Sequence, residues 1–298
     1  MQAFAGLLKT MRPKQWTKNL LFVFPAIIFD GQLFEAEPFL RVLAAFMLLN
    51  MVAGTVYIIN DLVDIEADRQ HPKKRFRPLP AGELPVGLAR TAAVVLPVTA
   101  LGLSLLLSVP LTLILLAYLL MQIAYSFKLK HVVIVDVLTI MIGFIMRVAA
   151  GAAVIDVQNF SPWLYACTGL LALFLAVGKR RQELINLGDN AINTRRIFQE
   201  YNLPLIDDMM RMVTTATLIT YVLYTVEVPT QTDPPYLGLL TVPFVLYGLF
   251  RYLYLIHVRG EGSAPDEVLL KDRALQIAIV LFGLTLVVIL YALPEIQA

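Results

Sequence analysis

The stretch from Leu40 to Asp68 decides the class of this protein, and it reads LRVLAAFMLLNMVAGTVYIINDLVDIEAD. Residues 40–59 are almost entirely apolar and long enough to cross a bilayer as one helix, since a span needs about 20 residues. Residues 60–68 then carry four acidic side chains where that span reaches the interface. An apolar span that ends in clustered carboxylates indicates a membrane protein with polar chemistry at the membrane surface.

The composition of the whole chain agrees with that reading. Of the 298 residues, 58% are hydrophobic and 15% are charged, and the mean hydropathy is +0.73. A soluble domain would carry about 25% charged residues. We therefore predict one membrane-embedded domain over residues 1–298. The net charge of +2 is too small to indicate a nucleic-acid partner, and the single cysteine, Cys167, allows no internal disulfide.

Apolar segments recur along the chain at a length that suits membrane helices. The segments are 19–34, 40–59, 88–108, 110–126, 132–155, 161–178, 209–228, 236–257 and 274–293. The first is short and is interrupted by Pro25. The pattern predicts an all-α, polytopic membrane protein with about nine transmembrane helices.

Basic residues alternate with these segments in a way that predicts the orientation. Of the 24 Lys and Arg residues, 22 fall in five clusters, at 9–18, 69–90, 128–130, 179–211 and 251–273. With nine spans, all five clusters lie on one side, which the positive-inside rule assigns to the cytoplasm. We therefore expect a cell (inner) membrane protein with a cytoplasmic N-terminus and its polar site facing the cytoplasm.

The aspartates after the second span are the strongest chemical signal. If that span continues as a helix, Asp61, Asp64 and Asp68 stand at i, i+3 and i+7 and share one face. Three carboxylates on one face repel each other unless a cation lies among them. Mg²⁺ suits such a site because it prefers hard oxygen ligands and is completed by substrate phosphates. The alternative is a solvated acidic helix end.

Basic residues follow the aspartates at once, and a rigid turn follows them. The bases are Arg69, His71, Lys73, Lys74, Arg75 and Arg77, and the turn is Pro78-Leu79-Pro80-Ala81-Gly82. Acidic and basic groups side by side can hold Mg²⁺ and a polyphosphate together. Arg75 and Arg77 are the preferred phosphate ligands because they stand closest to the turn, although each base can instead serve only as a positive-inside anchor.

Charged residues also occur within or beside other spans. Asp136 and Arg147 are 11 residues apart, close to three helical turns, so they point in nearly the same direction. A charge near the bilayer centre usually lines a cavity, and a structural ion pair is the alternative. Further candidates at the basic ends of spans are Lys14, Lys18, Tyr125, Lys128 and Lys130.

The motif over 60–68 and the Arg-Pro-Leu-Pro-x-Gly turn over 77–82 resemble the first aspartate-rich motif of the UbiA superfamily of intramembrane prenyltransferases. The resemblance in hydrophobic pattern covers nearly the whole chain. It implies a nine-helix fold around a central cavity that opens to the cytoplasmic side and to lipid. It also implies that Asp61, Asp64 and Asp68 hold a magnesium-bound diphosphate.

The sequence departs from the common superfamily pattern after the sixth span. Where a second aspartate-rich motif would stand, residues 178–184 read Gly-Lys-Arg-Arg-Gln-Glu-Leu. Together with the Arg-Pro-Lys-Gln-Trp-x-Lys-Asn start over 12–19, this run resembles one branch, the decaprenyl-phosphate phosphoribosyltransferases. That resemblance implies Mg²⁺-dependent transfer of 5-phosphoribose from phosphoribosyl pyrophosphate to a polyprenyl phosphate, with release of pyrophosphate.

In that reaction Asp61, Asp64 and Asp68 are the metal ligands, and Asp136 or Glu183 steadies the positive charge that develops on the ribose. The candidate substrate-binding residues are Lys14, Lys18, Asn60, Arg75, Arg77, Tyr125, Lys128, Lys130, Arg147, Lys179, Arg180, Arg181 and Glu183. Two alternatives stay open: prenylation of an aromatic or quinone precursor by a polyprenyl diphosphate, and a transporter or channel without catalysis. The sequence leaves open the lipid chain length and whether the protein forms a homo-oligomer.

Overall fold

The computed structural model describes residues 2–70, 74–157, 161–187, 196–227, 236–260, 268 and 271–293. The regular secondary structure in these ranges is entirely helical, as the sequence predicts. The chain divides into two compact units. The first comprises Met1–Phe127 and Met146–Gln158, and the second comprises Lys128–Ile145 and Asn159–Ala298.

Twelve α-helices form the framework of the described ranges. They are α1 (Gln2–Thr10), α2 (Trp16–Val23), α3 (Pro25–Phe29), α4 (Ala36–Val63), α5 (Ile65–Gln70), α6 (Val86–Leu107), α7 (Val109–Phe127), α8 (Val135–Ala152), α9 (Pro162–Leu187), α10 (Leu203–Glu227), α11 (Val242–Tyr254) and α12 (Arg273–Val287). Short 3₁₀ turns connect several of them, and α11 and α12 each continue into a π-helical turn, Leu255–Arg259 and Val288–Ala292.

Eight helical segments among the described residues are long and apolar enough to cross a membrane. These are α4, α6, α7, α8, α9 and α10, together with α11 and α12 extended by their 3₁₀ and π turns. Each of these eight coincides with one of the apolar segments predicted above. The first predicted segment, 19–34, has no such helix among the eight. There Pro25 begins a new helix, so the segment forms the two short helices α2 and α3.

The α2–α3 pair nevertheless runs the length of α4 in the opposite direction. At one end, Arg12 contacts Asp61, and farther along Asn19 donates to Asn50. The chain then turns over residues 30–35 into the start of α4. The all-α, polytopic prediction is confirmed, and eight helices of the described ranges have the length and apolar character of membrane spans.

A buried polar network joins four helices within the apolar part of the first unit. Arg147 donates from Nε to Oδ1 of Asn19 (2.7 Å) and from Nη2 to the hydroxyl of Tyr118 (2.7 Å). Asn19 in turn donates to Asn50 (2.7 Å). A charged side chain near a bilayer centre costs about 3 kcal/mol on insertion scales, and these hydrogen bonds offset part of that cost. Arg147 is thus engaged by neutral groups of α2 and α7.

The second unit is built on the packing of α9 against α10. Its core includes Phe174 and Val177 of α9, Met210 and Val213 of α10, and Tyr252 of α11. The ring of Phe174 lies 5.1 Å from that of Tyr252. This packing aligns the C-terminal end of α9 with the N-terminal end of α10, where the polar residues of the unit are found.

Close packing of α8 on α2 generates a first prediction. A Cβ atom on Gly151 would overlap the backbone carbonyl of Val23, so no side-chain movement can relieve the contact. We expect Gly151→Ala to lower the free energy of unfolding by about 1–3 kcal/mol, the usual cost of overpacking. Thermal unfolding of the detergent-purified protein measures this.

Gly102→Ala in α6 is the matched control, because a Cβ there meets no atom within 4 Å. Replacing a mid-helix glycine by alanine is expected to stabilise by about 0.5–1 kcal/mol. An equal effect of both substitutions would contradict the packing argument.

Candidate functional site

The aspartate motif does not lie on one continuous helix. Helix α4 ends at Val63, Asp64 takes non-helical backbone angles (φ −92°, ψ 7°), and α5 starts at Ile65. The expectation that Asp61, Asp64 and Asp68 share one helical face is therefore wrong. Asp61 and Asp68 are buried, whereas Asp64, which stands at the break between α4 and α5, is exposed.

Arg77 brings the two buried carboxylates together. Its Nη1 donates to Oδ1 of Asp61 (3.1 Å) and to Oδ2 of Asp68 (2.6 Å). Lys74 adds a second cation 3.6 Å from Asp68. Burial of two carboxylates is costly unless opposite charges and hydrogen bonds accompany them. The basic residues after the motif therefore supply the counter-charge of the site itself.

The Pro-rich turn holds Arg77 in place. The N–H of Ala81 bonds the carbonyl of Arg77 (2.9 Å), and the N–H of Leu84 bonds that of Pro78 (3.0 Å). Gly82 has φ +79°, a conformation that glycine adopts without strain. Leu79 and Leu84 anchor the turn in a small core with Met11 and Ile58 of the same unit.

Arg12 is a residue of this site that the sequence analysis did not single out. Its Nη2 donates to Oδ1 of Asp61 (2.9 Å), and its guanidinium lies 4.5 Å from the centre of the Tyr57 ring. Arg12 has φ +55°, which is uncommon for a residue other than glycine. The Arg-Pro pair at the N-terminus was a visible signal, but this backbone conformation was not.

The donor set around Asp61 and Asp68 suits a hard divalent cation. Oxygens of both carboxylates lie within hydrogen-bonding distance of one nitrogen, Nη1 of Arg77, so they converge on one point. Mg²⁺ is commonly bound by one or two carboxylates and completed by water and substrate phosphates. No group of three or more His, Cys, Asp or Glu side chains in the described ranges is arranged to hold a metal by itself.

The second unit contains its own buried cluster, centred on Asp136. Asp136 is fully buried, and its Oδ2 accepts from Nε of Arg180 (2.6 Å). Its Oδ1 accepts from the hydroxyl of Tyr201 (2.8 Å), and that hydroxyl accepts from the N–H of Ile134 (2.9 Å). Both carboxylate oxygens are thus engaged within the protein.

Tyr201 was missed because it lies in a polar segment, far from Asp136 along the chain. Burial, and secondly its hydrogen bond to Asp136, raise the pKa of the phenol above its usual value. The hydroxyl therefore stays a neutral donor at physiological pH. The Ile134 amide that it accepts from belongs to a residue with φ +68°, which is strained for a β-branched side chain.

The three cations at the end of α9 differ in their surroundings. Arg180 is bound to Asp136 and to Glu183 (2.6 Å), and Arg181 is bound to Asp207 (2.6 Å). Lys179 lies 4.0 Å from Glu183. Its side chain is 45% exposed, against 3% for Arg180 and 12% for Arg181. Of the three predicted phosphate ligands, Lys179 is therefore the most accessible.

The remaining candidates are spread over both units. Arg147 belongs to the intramembrane network described above, where it donates to Asn19 and Tyr118. Arg75 is exposed and stacks on Phe76, with its guanidinium 4.8 Å from the ring centre. Lys14 and Lys128 are exposed, and four candidates are half-buried: Lys18, Asn60, Tyr125 and Lys130. His71 and Lys73 lie outside the described residues.

Comparisons with known proteins agree on one family. The model of the "UbiA prenyltransferase family" matches residues 19–269. The chain is 33% identical, over 97% of its length and 88% of the relative's, to a decaprenyl-phosphate phosphoribosyltransferase of Corynebacterium glutamicum. A protein of the same name from Mycobacterium tuberculosis is 33% identical over 92% of this chain and 90% of that one.

The fold also resembles solved structures. A UbiA homolog from Archaeoglobus fulgidus, bound to GPP and Mg²⁺, matches with a TM-score of 0.68 over 97% of this chain and 99% of that chain. The sequence identity is 16%, so this likeness concerns the fold.

The contacts of Tyr201 generate a second prediction. Tyr201→Phe removes the hydroxyl that joins Asp136 to the Ile134 amide and leaves one oxygen of the buried Asp136 carboxylate without its donor. We expect a loss of about 1–3 kcal/mol in the free energy of unfolding near pH 8. Above about pH 10 the tyrosine ionises in the unfolded state while the folded one stays neutral, so this contribution decreases.

Thermal unfolding of wild type and Tyr201→Phe at pH 8 and above pH 10 checks the direction in which the contribution of Tyr201 to stability changes with pH. The difference between wild type and Tyr201→Phe should narrow at the higher pH, and tyrosines common to both proteins cancel in it. A difference that is absent at pH 8, or that widens with pH, would contradict the assignment.

Proposed function

This chain belongs to the UbiA prenyltransferase family and is a membrane transferase, and on that premise we propose that it transfers 5-phosphoribose from phosphoribosyl pyrophosphate to a polyprenyl phosphate. The observation that carries the proposal is the cationic end of α9, Lys179-Arg180-Arg181, where the common family pattern has a second acidic motif. Basic residues there suit a donor with an additional phosphate. The relatives named as decaprenyl-phosphate phosphoribosyltransferases support the same reaction.

In this proposal the aspartate site of the first unit receives the pyrophosphate end of the donor. Asp61 and Asp68, with Asp64 on the turn between them, would hold Mg²⁺. The bound ion would neutralise charge on the leaving pyrophosphate. Arg77 and Arg12 stand at the same carboxylates and are suited to donate to phosphate oxygens, because a guanidinium forms paired hydrogen bonds with them.

The 5-phosphate of the donor is proposed to bind at the end of α9. All three cations there have carboxylate partners, and Lys179 is the most exposed of them. Asp136 acts through Arg180: it orients the guanidinium and balances its charge without touching substrate. Glu183, whose side chain is 22% exposed, would stabilise the positive charge that develops at C1 of the ribose.

The acceptor needs little activation. A lipid phosphate is already anionic at neutral pH, so its oxygen attacks C1 as the bond to pyrophosphate breaks. A strong general base is not required. Attack opposite the leaving group inverts the configuration, so an α-linked donor yields a β-linked product.

The placement of charge supports a cytoplasmic site. Lys and Arg residues cluster where α4, α9 and α11 end and where α6, α10 and α12 begin. By the positive-inside rule we propose that these ends face the cytoplasm, together with the N-terminus. A soluble phosphorylated donor would then arrive from the cytoplasm and the lipid acceptor from the membrane.

Removal of the aspartates gives a third prediction. Labelled phosphoribosyl pyrophosphate, a polyprenyl phosphate and Mg²⁺ are incubated with the purified protein, and label is counted in the lipid phase. We expect transfer by wild type and a loss on the order of 100-fold or more in Asp61→Asn or Asp64→Asn, because the metal's charge stabilisation is worth several kcal/mol. EDTA should have the same effect.

Glu66→Gln is the matched control within the same motif. Glu66 is exposed and pairs with Arg69, so the transfer activity of Glu66→Gln should remain near that of wild type. If label never enters the lipid phase but a polyprenyl diphosphate modifies an aromatic acceptor, the family's other reaction, prenylation, is the correct one.

Lys179 gives a fourth prediction. We expect Lys179→Gln to raise KM for phosphoribosyl pyrophosphate by about 10- to 100-fold with a smaller change in kcat, because a charge-assisted hydrogen bond is worth about 1.5–3 kcal/mol. Lys9→Gln is the control, since Lys9 is also an exposed lysine that pairs with a glutamate, Glu83. An unchanged KM in Lys179→Gln would remove Lys179 from the donor site.

A further inference from the structure

A cleft of about 550 Å³ lies in the second unit, outside the residues assigned above to the reaction. Five of its lining residues come from one face of α10, between Asp207 and Thr215, and three come from the end of α11 and its π-helical turn. π-Helical turns are rare and are frequent at functional sites. The lining residues of α10, Asp207 to Thr215, span about two turns in the N-terminal half of that helix.

The rim of the cleft is polar and carries more positive than negative charge. Arg211 is 77% exposed and His257 is 36% exposed at the rim. The two aspartates nearby already have cationic partners: Asp207 binds Arg181 (2.6 Å), and Asp208 binds Arg211 (2.6 Å).

Arg259 adds a further cation beside the rim. Arg259 donates from Nε to the hydroxyl of Tyr254 (3.2 Å), which lines the cleft. The Nδ1 atom of His257 lies 2.9 Å from the carbonyl oxygen of Leu253, and its Nε2 atom lies 3.6 Å from Oδ1 of Asp207. At and beside the rim, three arginines (Arg181, Arg211 and Arg259) thus stand with two aspartates, so a small excess of positive charge faces an anion.

The floor of the cleft and the surface beyond it are apolar. Met210 and Leu253 line the floor. Along α11, Tyr247, Phe250 and Tyr254 recur at helical spacing and are 47%, 58% and 37% exposed. They belong to a segment long and apolar enough to cross a membrane, so this stripe is suited to contact with hydrocarbon chains.

We propose that this cleft is the docking site for a membrane lipid that ends in a phosphate monoester. The phosphate is seated at the rim by Arg211 and His257, and the chain lies along the Tyr247–Phe250–Tyr254 stripe. A monoester fits better than a diester because it offers three terminal oxygens and up to two negative charges to several donors. The identification of this lipid with the polyprenyl phosphate acceptor rests on the proposed function.

The position of the cleft suits delivery of that acceptor. Arg181, beside Lys179 at the end of α9, is bound to Asp207 of the cleft, so the two polar regions of the second unit are in direct contact. A lipid held at the rim would have its phosphate next to the residues proposed to bind the donor.

Photocrosslinking tests the proposal without any donor. The full-length protein in phosphatidylcholine nanodiscs is irradiated with a photoreactive analogue of farnesyl phosphate, and adducts are mapped by mass spectrometry. We expect adducts in peptides of α10 and α11 that are competed by farnesyl phosphate but not by farnesol or by inorganic phosphate. Arg211→Gln combined with His257→Gln should reduce them at least 10-fold.

Two variants make the outcome specific. Arg41→Gln, which removes an exposed arginine paired with Glu37, should leave the adducts unchanged. Arg211→Lys should retain most of them, and the thermal midpoint of each variant verifies folding. Three results would overturn the proposal. Equal competition by farnesol would mean that the cleft is an apolar groove, and equal competition by inorganic phosphate would mean that it binds soluble anions. Adducts that persist in the double variant would show that Arg211 and His257 do not hold the lipid. Because no donor is present, a failure of phosphoribosyl transfer would refute the proposed function and leave this result standing.

Discussion

The first unit depends on burying two carboxylates at the end of a membrane helix. Asp61 and Asp68 are withdrawn from solvent, and a buried carboxylate is tolerated when cations and hydrogen bonds compensate it. Arg77 supplies both through one guanidinium, and Arg12 supplies a second contact to Asp61. This requirement explains the Pro-rich turn that places Arg77 and the left-handed backbone of Arg12. The polar site is thereby an integral part of the folding of this unit.

The second unit meets a similar requirement at Asp136. Arg180 compensates the buried carboxylate, and Tyr201 completes its hydrogen bonds while it fastens a segment before α10 to the start of α8. All three cations at the end of α9 thus stand beside carboxylates, and they differ mainly in exposure. The charge available to a substrate is set by exposure, which favours Lys179 and Glu183, rather than by the number of basic residues in the motif.

These arrangements account for how one fold can exchange the roles of lipid and soluble substrate. In the proposed reaction the soluble donor carries the diphosphate and the lipid carries the attacking phosphate. The aspartate site keeps its task of receiving a diphosphate, and the cations of the second unit take the additional phosphate. A lipid that supplies the nucleophile needs its own phosphate recognised at the membrane surface, and the cleft between α10 and α11 has the charge and the apolar stripe for this.

The sequence by itself determined the membrane class, the place of the eight long helices, and the acidic motif. Apolar runs of about 20 residues and the position of Lys and Arg are local properties, so a single sequence reveals them. Only the tertiary structure decided that Asp64 is exposed while Asp61 and Asp68 are buried, and that Arg12 and Tyr201 belong to the polar clusters. Those contacts join residues 49 and 65 positions apart, and no local pattern encodes such pairings because they depend on which helix ends the packing brings together.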